Sequence, residues 1–315
     1  MKLRRSIFRA VLLVLLSCSD HVAYAGFAAG ASASGAVREL RNGTYVDIQP
    51  WTFISRSGSD ISGGPFNTSA VAINGPHPLV NGMTTSSSAE ADLATGTLRG
   101  YSTVSNSTVN HANAFALVAS GFASLSDSFH IYGANNAPFI WSDSSEVVFR
   151  FHLDGSVSGS STALGSANYN FFINVYPFGT IGHFTNSVSV LGEASWSDNG
   201  RFDELEQFGS SGPIQVSVSA VGRLSAGGYD LEARFNPRGD FDWSAGLWSL
   251  VFMNGGTGAF SSDFNHTVTM AYSGPAGSVT SSSSGVFPGT LAQVPAPGSA
   301  ALILVGLVFL VRRKS

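Results

Sequence analysis

Apolar and polar residues alternate in short stretches along much of this 315-residue chain, and this feature constrains its fold more than any other. In Glu146–Leu153 every second residue from Val147 onward is apolar, and Ile214–Leu224 and Tyr229–Phe235 show the same pattern. A period of two residues is that of a β-strand with one buried face. Between the terminal segments no stretch shows the 3.6-residue period of an amphipathic helix, so the sequence predicts an all-β fold.

Turn-forming residues separate these stretches at intervals of roughly 8–15 residues, which predicts about ten or more short strands. The expected architecture is a single β-sandwich or jelly-roll-like domain over residues 26–272. Asp154-Gly155 predicts a tight hairpin turn, and the small residues of Gly26–Gly35 predict a frayed start. Further strands are predicted at Tyr169–Tyr176, Val188–Trp196, Trp248–Met253 and His266–Tyr272.

The charge of the predicted domain argues against nucleic acid as a partner. Residues 26–311 contain nine Arg, no Lys and nineteen acidic residues, which gives a net charge of −10. Such a domain is repelled by phosphate backbones and anionic membrane surfaces. The only cysteine is Cys18. Disulfides, zinc–thiolate sites and a cysteine nucleophile are therefore excluded if Cys18 is removed with a leader.

Residues 1–25 have the layout of a secretory signal peptide. Basic residues come first, an apolar run follows at Ala10–Leu16, and Ala23 and Ala25 form a small-x-small cleavage site before Gly26. The sequence therefore predicts export and cleavage after Ala25. The alternative is a lipoprotein, because Leu15–Cys18 resembles a lipobox in which Cys18 would be acylated.

One acidic segment is a candidate metal site. Calcium binds several hard oxygen ligands from a flexible loop, and an acidic cluster surrounds Gly200. The candidate ligands are Asp198, Asp203, Glu204 and Glu206. A solvated acidic loop is the alternative, and Asp240–Trp243 is a second, weaker candidate. No other cofactor is expected.

The chain contains none of the common catalytic motifs, so we expect no enzymatic activity. The remaining enzymatic alternative is a glycosidase carboxylate pair drawn from Glu193, Asp198, Asp203 and Asp240. Tryptophan side chains are also candidates for stacking on sugar rings, with core packing as the alternative. They are Trp141, Trp196, Trp243 and Trp248.

The C-terminal part is organised differently. Residues 273–293 are rich in Ser, Gly and Pro and predict a flexible linker. Residues 294–315 begin with Val294, Pro295, Ala296, Pro297 and Gly298, continue as an apolar run at Ala300–Val311, and end with Arg312, Arg313 and Lys314. The run is twelve residues long, and extended back to Val294 it approaches membrane thickness. It predicts one short transmembrane helix with its basic end in the cytoplasm.

This tail resembles the PEP-CTERM sorting signal of Gram-negative bacteria, in which a Val-Pro-Glu-Pro motif precedes an apolar segment and a basic end. Ala296 stands where that family usually has Glu. The resemblance implies recognition by an exosortase-type processing enzyme, an inner-membrane precursor, and a final place at the cell surface or in an exopolysaccharide matrix. The expected function is that of a non-enzymatic surface or matrix protein. The alternative is a secreted carbohydrate-binding module.

Overall fold

The structure, a computed structural model, describes residues 27–42, 44–47, 52–59, 67–74, 82–107, 115–161, 164–179, 186–196, 202–211, 215–221 and 228–285. The predicted signal peptide and the predicted sorting tail lie outside these residues. So does Asp198 of the candidate calcium site.

The described residues form two antiparallel sheets that pack face to face, which confirms the predicted all-β sandwich. Sheet A contains, in spatial order, β11 (Phe202–Ser211), β10 (Asn186–Trp196), β9 (Leu164–Pro177), β14 (Phe241–Asn254), β7 (Phe115–Tyr132), β1 (Ala28–Arg41) and β2 (Thr44–Asp47), with β3 (Thr52–Ser59) paired to β1 and β16 (Val279–Ser282) paired to β7. Sheet B contains β12 (Gln215–Val221), β13 (Gly228–Phe235), β8 (Val147–Ser161), β15 (Gly258–Ser273), β6 (Thr97–Asn106), β5 (Met83–Asp92) and β4 (Asn67–Asn74).

The core between the sheets has an aromatic region and a thin region. The aromatic region is centred on Phe129, whose ring centroid lies 4.4 Å from that of Tyr272 and 5.8 Å from that of Trp243. The other rings of this region are Phe149, Phe151, Phe171, Phe235 and Phe241. In the thin region, where β1 and β7 face β4, β5 and β6, the inward residues are mostly Ala, Ser and Gly.

Three buried serines connect the sheets across the core. Ser87, Ser102 and Ser262 lie directly opposite one another on β5, β6 and β15. Their hydroxyls donate to backbone carbonyls of sheet A: to Ser34 O at 2.8 Å, to Ser249 O at 3.0 Å and to Asn168 O at 2.9 Å. A serine side chain is short, so these bonds form only where the two backbones come close together.

The close approach is tightest at Gly121 on β7. A Cβ atom added to Gly121 would collide with the carbonyl oxygen of Ser88 and would lie 3.0 Å from that of Tyr101. Stacked sheets are usually about 10 Å apart because side chains fill the space between them. Here backbone atoms of β5 and β6 lie where the Cβ atom of a larger residue at position 121 would be, so no side chain fits between the sheets.

The predicted hairpin at Asp154-Gly155 is wrong, because β8 continues through these residues. Gly155 faces an irregularity in β15 between Asp263 and Thr267. A Cβ atom at Gly155 would collide with the ring of Phe264. The glycine therefore admits a buried aromatic ring against a continuous strand, and this packing overrides the local turn preference of the dipeptide.

The predicted frayed start and the predicted linker both contain strands. Gly26–Gly35 lies largely within β1, which pairs with β7 on one side and with β3 and β2 on the other. Small residues are favourable there because β1 belongs to the thin region. Within the predicted linker 273–293, β16 pairs with β7, so the sandwich extends beyond the predicted boundary at Tyr272.

Replacing Gly121 with Ala tests the close approach of the sheets. The added methyl group meets backbone atoms that cannot rotate away, so we expect the free energy of unfolding to fall by about 1–3 kcal/mol. Gly239→Ala is the matched control, since a Cβ atom there meets nothing within 4 Å. Urea denaturation measures both variants. Equal stability of the two variants would contradict the close approach.

Candidate functional site

The two outer faces of the sandwich differ in charge. The outer face of sheet B holds ion pairs, including Arg99 with Glu90 at 2.9 Å and Arg150 with Glu232 at 2.7 Å. On sheet A, the outward residues of β7 from 116 to 126, of β14 from 244 to 254 and of β9 from 164 to 174 include no charged residue. This part of sheet A is thus suited to an uncharged ligand.

Three aromatic side chains, Phe122, Phe172 and Trp248, form what we call the ring face. Phe122 on β7 pairs with Trp248 on β14. Phe172 on β9, the strand on the other side of β14, pairs with Gly246. The phenyl rings of Phe122 and Phe172 stack with centroids 6.4 Å apart and an interplanar angle of 19°. All three side chains are partly exposed. Together they present adjacent flat apolar surfaces on three neighbouring strands.

Two contacts fix the orientation of these rings. Gly246 lies beneath the phenyl pair, and a Cβ atom there would come within 2.5 Å of the ring of Phe172 and 3.2 Å of that of Phe122. The indole N–H of Trp248 donates to Ser120 Oγ at 2.6 Å. The ring face is therefore preorganised, which lowers the conformational entropy that binding would otherwise remove.

Amide side chains border the rings. Asn170 pairs in register with Trp248, and Asn168 pairs with Leu250. Both side chains are partly exposed, but their Oδ1 atoms are buried and receive no hydrogen bond from any residue within the described ranges. Flat apolar rings beside amides and hydroxyls match the surface of a sugar, which has apolar C–H faces and hydroxyl edges.

The four tryptophans considered as sugar platforms occupy different environments. Trp243 is 1% exposed and belongs to the aromatic region, and Trp141 is half-buried with its ring edge-on to Phe139. Trp196 is the last residue of β10, and the structure describes its backbone but not its side chain. Trp248 is the one placed on the ring face. Phe122 and Phe172 were not predicted, because their strands come together only in the folded sheet.

The candidate calcium ligands do not share a loop. Asp203, Glu204 and Glu206 lie on β11, which pairs along its whole length with β10. The predicted acidic loop is therefore a strand from Phe202 onward. Among the residues that the structure describes, no group of three or more His, Cys, Asp or Glu side chains is placed to hold a metal ion.

A chain of side-chain contacts has the order of a serine hydrolase triad, Ser–His–Asp. It consists of Ser283, His130 and Asp240. Ser283 Oγ lies 3.5 Å from His130 Nε2, and His130 Nδ1 lies 2.9 Å from Asp240 Oδ2. Acyl transfer also needs free N–H donors for an oxyanion. The backbone N–H groups of residues 283–285 all donate to other groups of the fold. We therefore assign no catalytic role to this chain of hydrogen bonds.

Hydrogen bonds to Asp127 hold Ser284, which follows β16, against the sandwich. The Asp127 side chain is buried on β7 and accepts hydrogen bonds from Ser284 Oγ at 2.5 Å, from the Ser284 backbone N–H at 3.2 Å and from the Ser128 backbone N–H at 2.8 Å. Burial raises the pKa of Asp127 to about 6, although these hydrogen bonds favour the ionised form. Desolvation therefore outweighs the hydrogen bonds.

The raised pKa of Asp127 predicts a specific pH dependence of stability. The folded state binds the proton more tightly than the unfolded state, so this contribution is fully present below about pH 4 and is lost as the pH rises through 6. Asp127→Asn is neutral and similar in shape. We expect its stability relative to wild type to increase by up to about 3 kcal/mol between pH 4 and pH 7.

Urea denaturation across this pH range measures the difference between Asp127→Asn and wild type. Asp143→Asn serves as the control, because its side chain is 95% exposed and we expect its effect to stay within about 0.5 kcal/mol. A pH-independent difference for Asp127→Asn would contradict the assignment.

Comparison with known proteins does not extend these observations: no family model, no curated protein and no solved structure matches this chain. Within the described ranges, no helix has the length and apolar character needed to cross a membrane. We therefore infer a function from the geometry of the ring face.

Proposed function

We propose that this chain is an exported, non-enzymatic cell-surface or matrix protein whose sandwich binds a neutral polysaccharide on the ring face. The observation that carries the proposal is the group of Phe122, Phe172 and Trp248, three oriented rings on an uncharged sheet surface. Apolar surface that stays grouped on the outside of a soluble domain marks interaction sites more often than chance exposure.

The chemistry of the ring face supports a sugar more than a charged ligand. Stacking on aromatic rings removes the apolar face of a sugar from water, and the partly exposed side chains of Asn170 and Ser124 supply polar groups beside the rings. A nucleic acid or an acidic lipid would need basic residues, and the described outward positions of β7, β14 and β9 around the rings provide none. An exopolysaccharide is the ligand that also agrees with the proposed routing.

The proposed routing depends on the two ends of the chain. Residues 1–25 direct export, with cleavage after Ala25. Residues 294–315 hold the precursor in the inner membrane and are recognised by an exosortase-type enzyme through Val294–Gly298. The processed protein then reaches the cell surface or the extracellular matrix. The resemblance of the tail to PEP-CTERM signals supports this route.

Truncating Trp248 tests the ring face. In Trp248→Ala we expect affinity for exopolysaccharide purified from the producing cells to fall about tenfold or more, because a central aromatic anchor is lost. Sedimentation of the protein with the polysaccharide measures binding. Val71→Ala is the control, since Val71 is 52% exposed but lies on sheet B. Unchanged binding by Trp248→Ala would overturn the proposed site.

The mass of the mature protein tests the routing. We expect a chain that begins at Gly26 and lacks the segment beyond Pro297. Intact-mass spectrometry of protein from the surface fraction measures both ends. A chain still ending at Ser315 would overturn the proposed processing, and an acylated Cys18 at the N-terminus would identify a lipoprotein instead.

A further inference from the structure

A second exposed aromatic ring lies on the outer side of sheet A, well beyond the ring face. Phe178 follows β9 directly and is 51% exposed. The backbone N–H of Gly179 donates to Asp242 Oδ2 at 2.8 Å, and Gly179 has a φ of +76°, which glycine adopts without strain. The ring of Phe178 lies 5.0 Å from that of His130. Phe178 is therefore held in place while it remains accessible.

Polar groups accompany Phe178 as they accompany the ring face. Asp240 Oδ2 lies 2.9 Å from His130 Nδ1, and Asp240 Oδ1 accepts a hydrogen bond from the backbone N–H of Ile131 at 2.9 Å. The side chains of His130 and Asp240 are 27% and 40% exposed. We call Phe178, His130 and Asp240 the second subsite. It offers an apolar ring beside a partly exposed carboxylate that can accept hydrogen bonds from hydroxyls, while the ring nitrogens of His130 face Asp240 and Ser283.

The two subsites lie along the same strands. His130 on β7 is eight residues from Phe122, roughly 26 Å, and Phe178 is six residues from Phe172 along β9, roughly 20 Å, at the rise of an antiparallel strand. The outward residues between them on β7 are Ser124, Ser126 and Ser128. On β14 the hydroxyl of Ser244 lies 3.3 Å from that of Tyr176. Ser124 and Ser126 are partly exposed, whereas Ser128, Ser244 and Asp242 are buried, so the accessible polar side chains of β7 and β14 between the two aromatic positions are uncharged.

We propose that the ring face and the second subsite bind one linear polysaccharide chain, which runs parallel to the strands of sheet A. This inference depends on the proposed function, because it assigns a second contact to the same ligand. Once the chain is bound at the ring face, binding at the second subsite becomes intramolecular, and the overall affinity rises without any new site on the ligand. A fragment shorter than the separation of the subsites gains nothing from Phe178.

The test compares two probes: purified exopolysaccharide, and short fragments of it, made by partial hydrolysis, that cannot span about 20 Å. We expect wild type to bind the polymer at least about tenfold more tightly than the fragments. We expect Phe178→Ala to lower affinity for the polymer to near that for the fragments and to leave fragment binding unchanged. Trp248→Ala should weaken binding of both probes, and Val71→Ala neither. Thermal unfolding of each variant confirms that the fold is retained.

The outcomes separate the two proposals. If Phe178→Ala binds the polymer as wild type does, the second subsite is overturned and the ring face stands. If wild type binds neither probe, both proposals fail. If Phe178→Ala instead changes the sedimentation coefficient of the protein without polysaccharide, the surface joins copies of this chain, and the inference is overturned.

Discussion

The hydrogen bonds that Ser87, Ser102 and Ser262 donate across the core set the spacing of the two sheets, and much of the structure depends on that spacing. A hydroxyl one bond from Cβ reaches an opposite backbone only where almost nothing else lies between. The inward positions near Ser87 and Ser102 are accordingly mostly small, and Gly121 has no room for any side chain. The buried rings gather around Phe129 or, like Phe260 and Phe264, flank Ser262 on β15.

The outer faces show the same division of roles. Ion pairs such as Arg150 with Glu232 keep sheet B solvated, although exposed pairs of this kind add little stability. Around Trp248, sheet A has neither charges nor a full hydrophobic covering. Its rings are braced by Gly246 beneath and Ser120 beside. Bracing of these partly exposed rings does little for the core, and it agrees with the binding surface that we propose.

The fold class followed from the sequence because alternation is a local property, and many strands were predicted close to their observed positions. Asp154-Gly155 and Gly26–Gly35 were misjudged because contacts with distant residues decide their conformation: the ring of Phe264 in one case, and pairing with β7 in the other. The ring face was predicted only through Trp248. Its two phenylalanines lie on strands far apart in sequence, and β14 alone gave a signal, since its residues from Trp243 to Met253 are apolar or small on both faces.

The pairing of sheet A also has a consequence for folding. Ala28 pairs with Ser126, and Leu125 pairs with Ala245, so neighbours in the middle of the sheet are about a hundred residues or more apart in the chain. Contacts of such high contact order form slowly. Strand β1 has no partner on its β7 side until nearly a hundred further residues have been made, and β14 completes the centre only near the end. A chain with this topology therefore closes its central sheet late in folding, after most of its length is available.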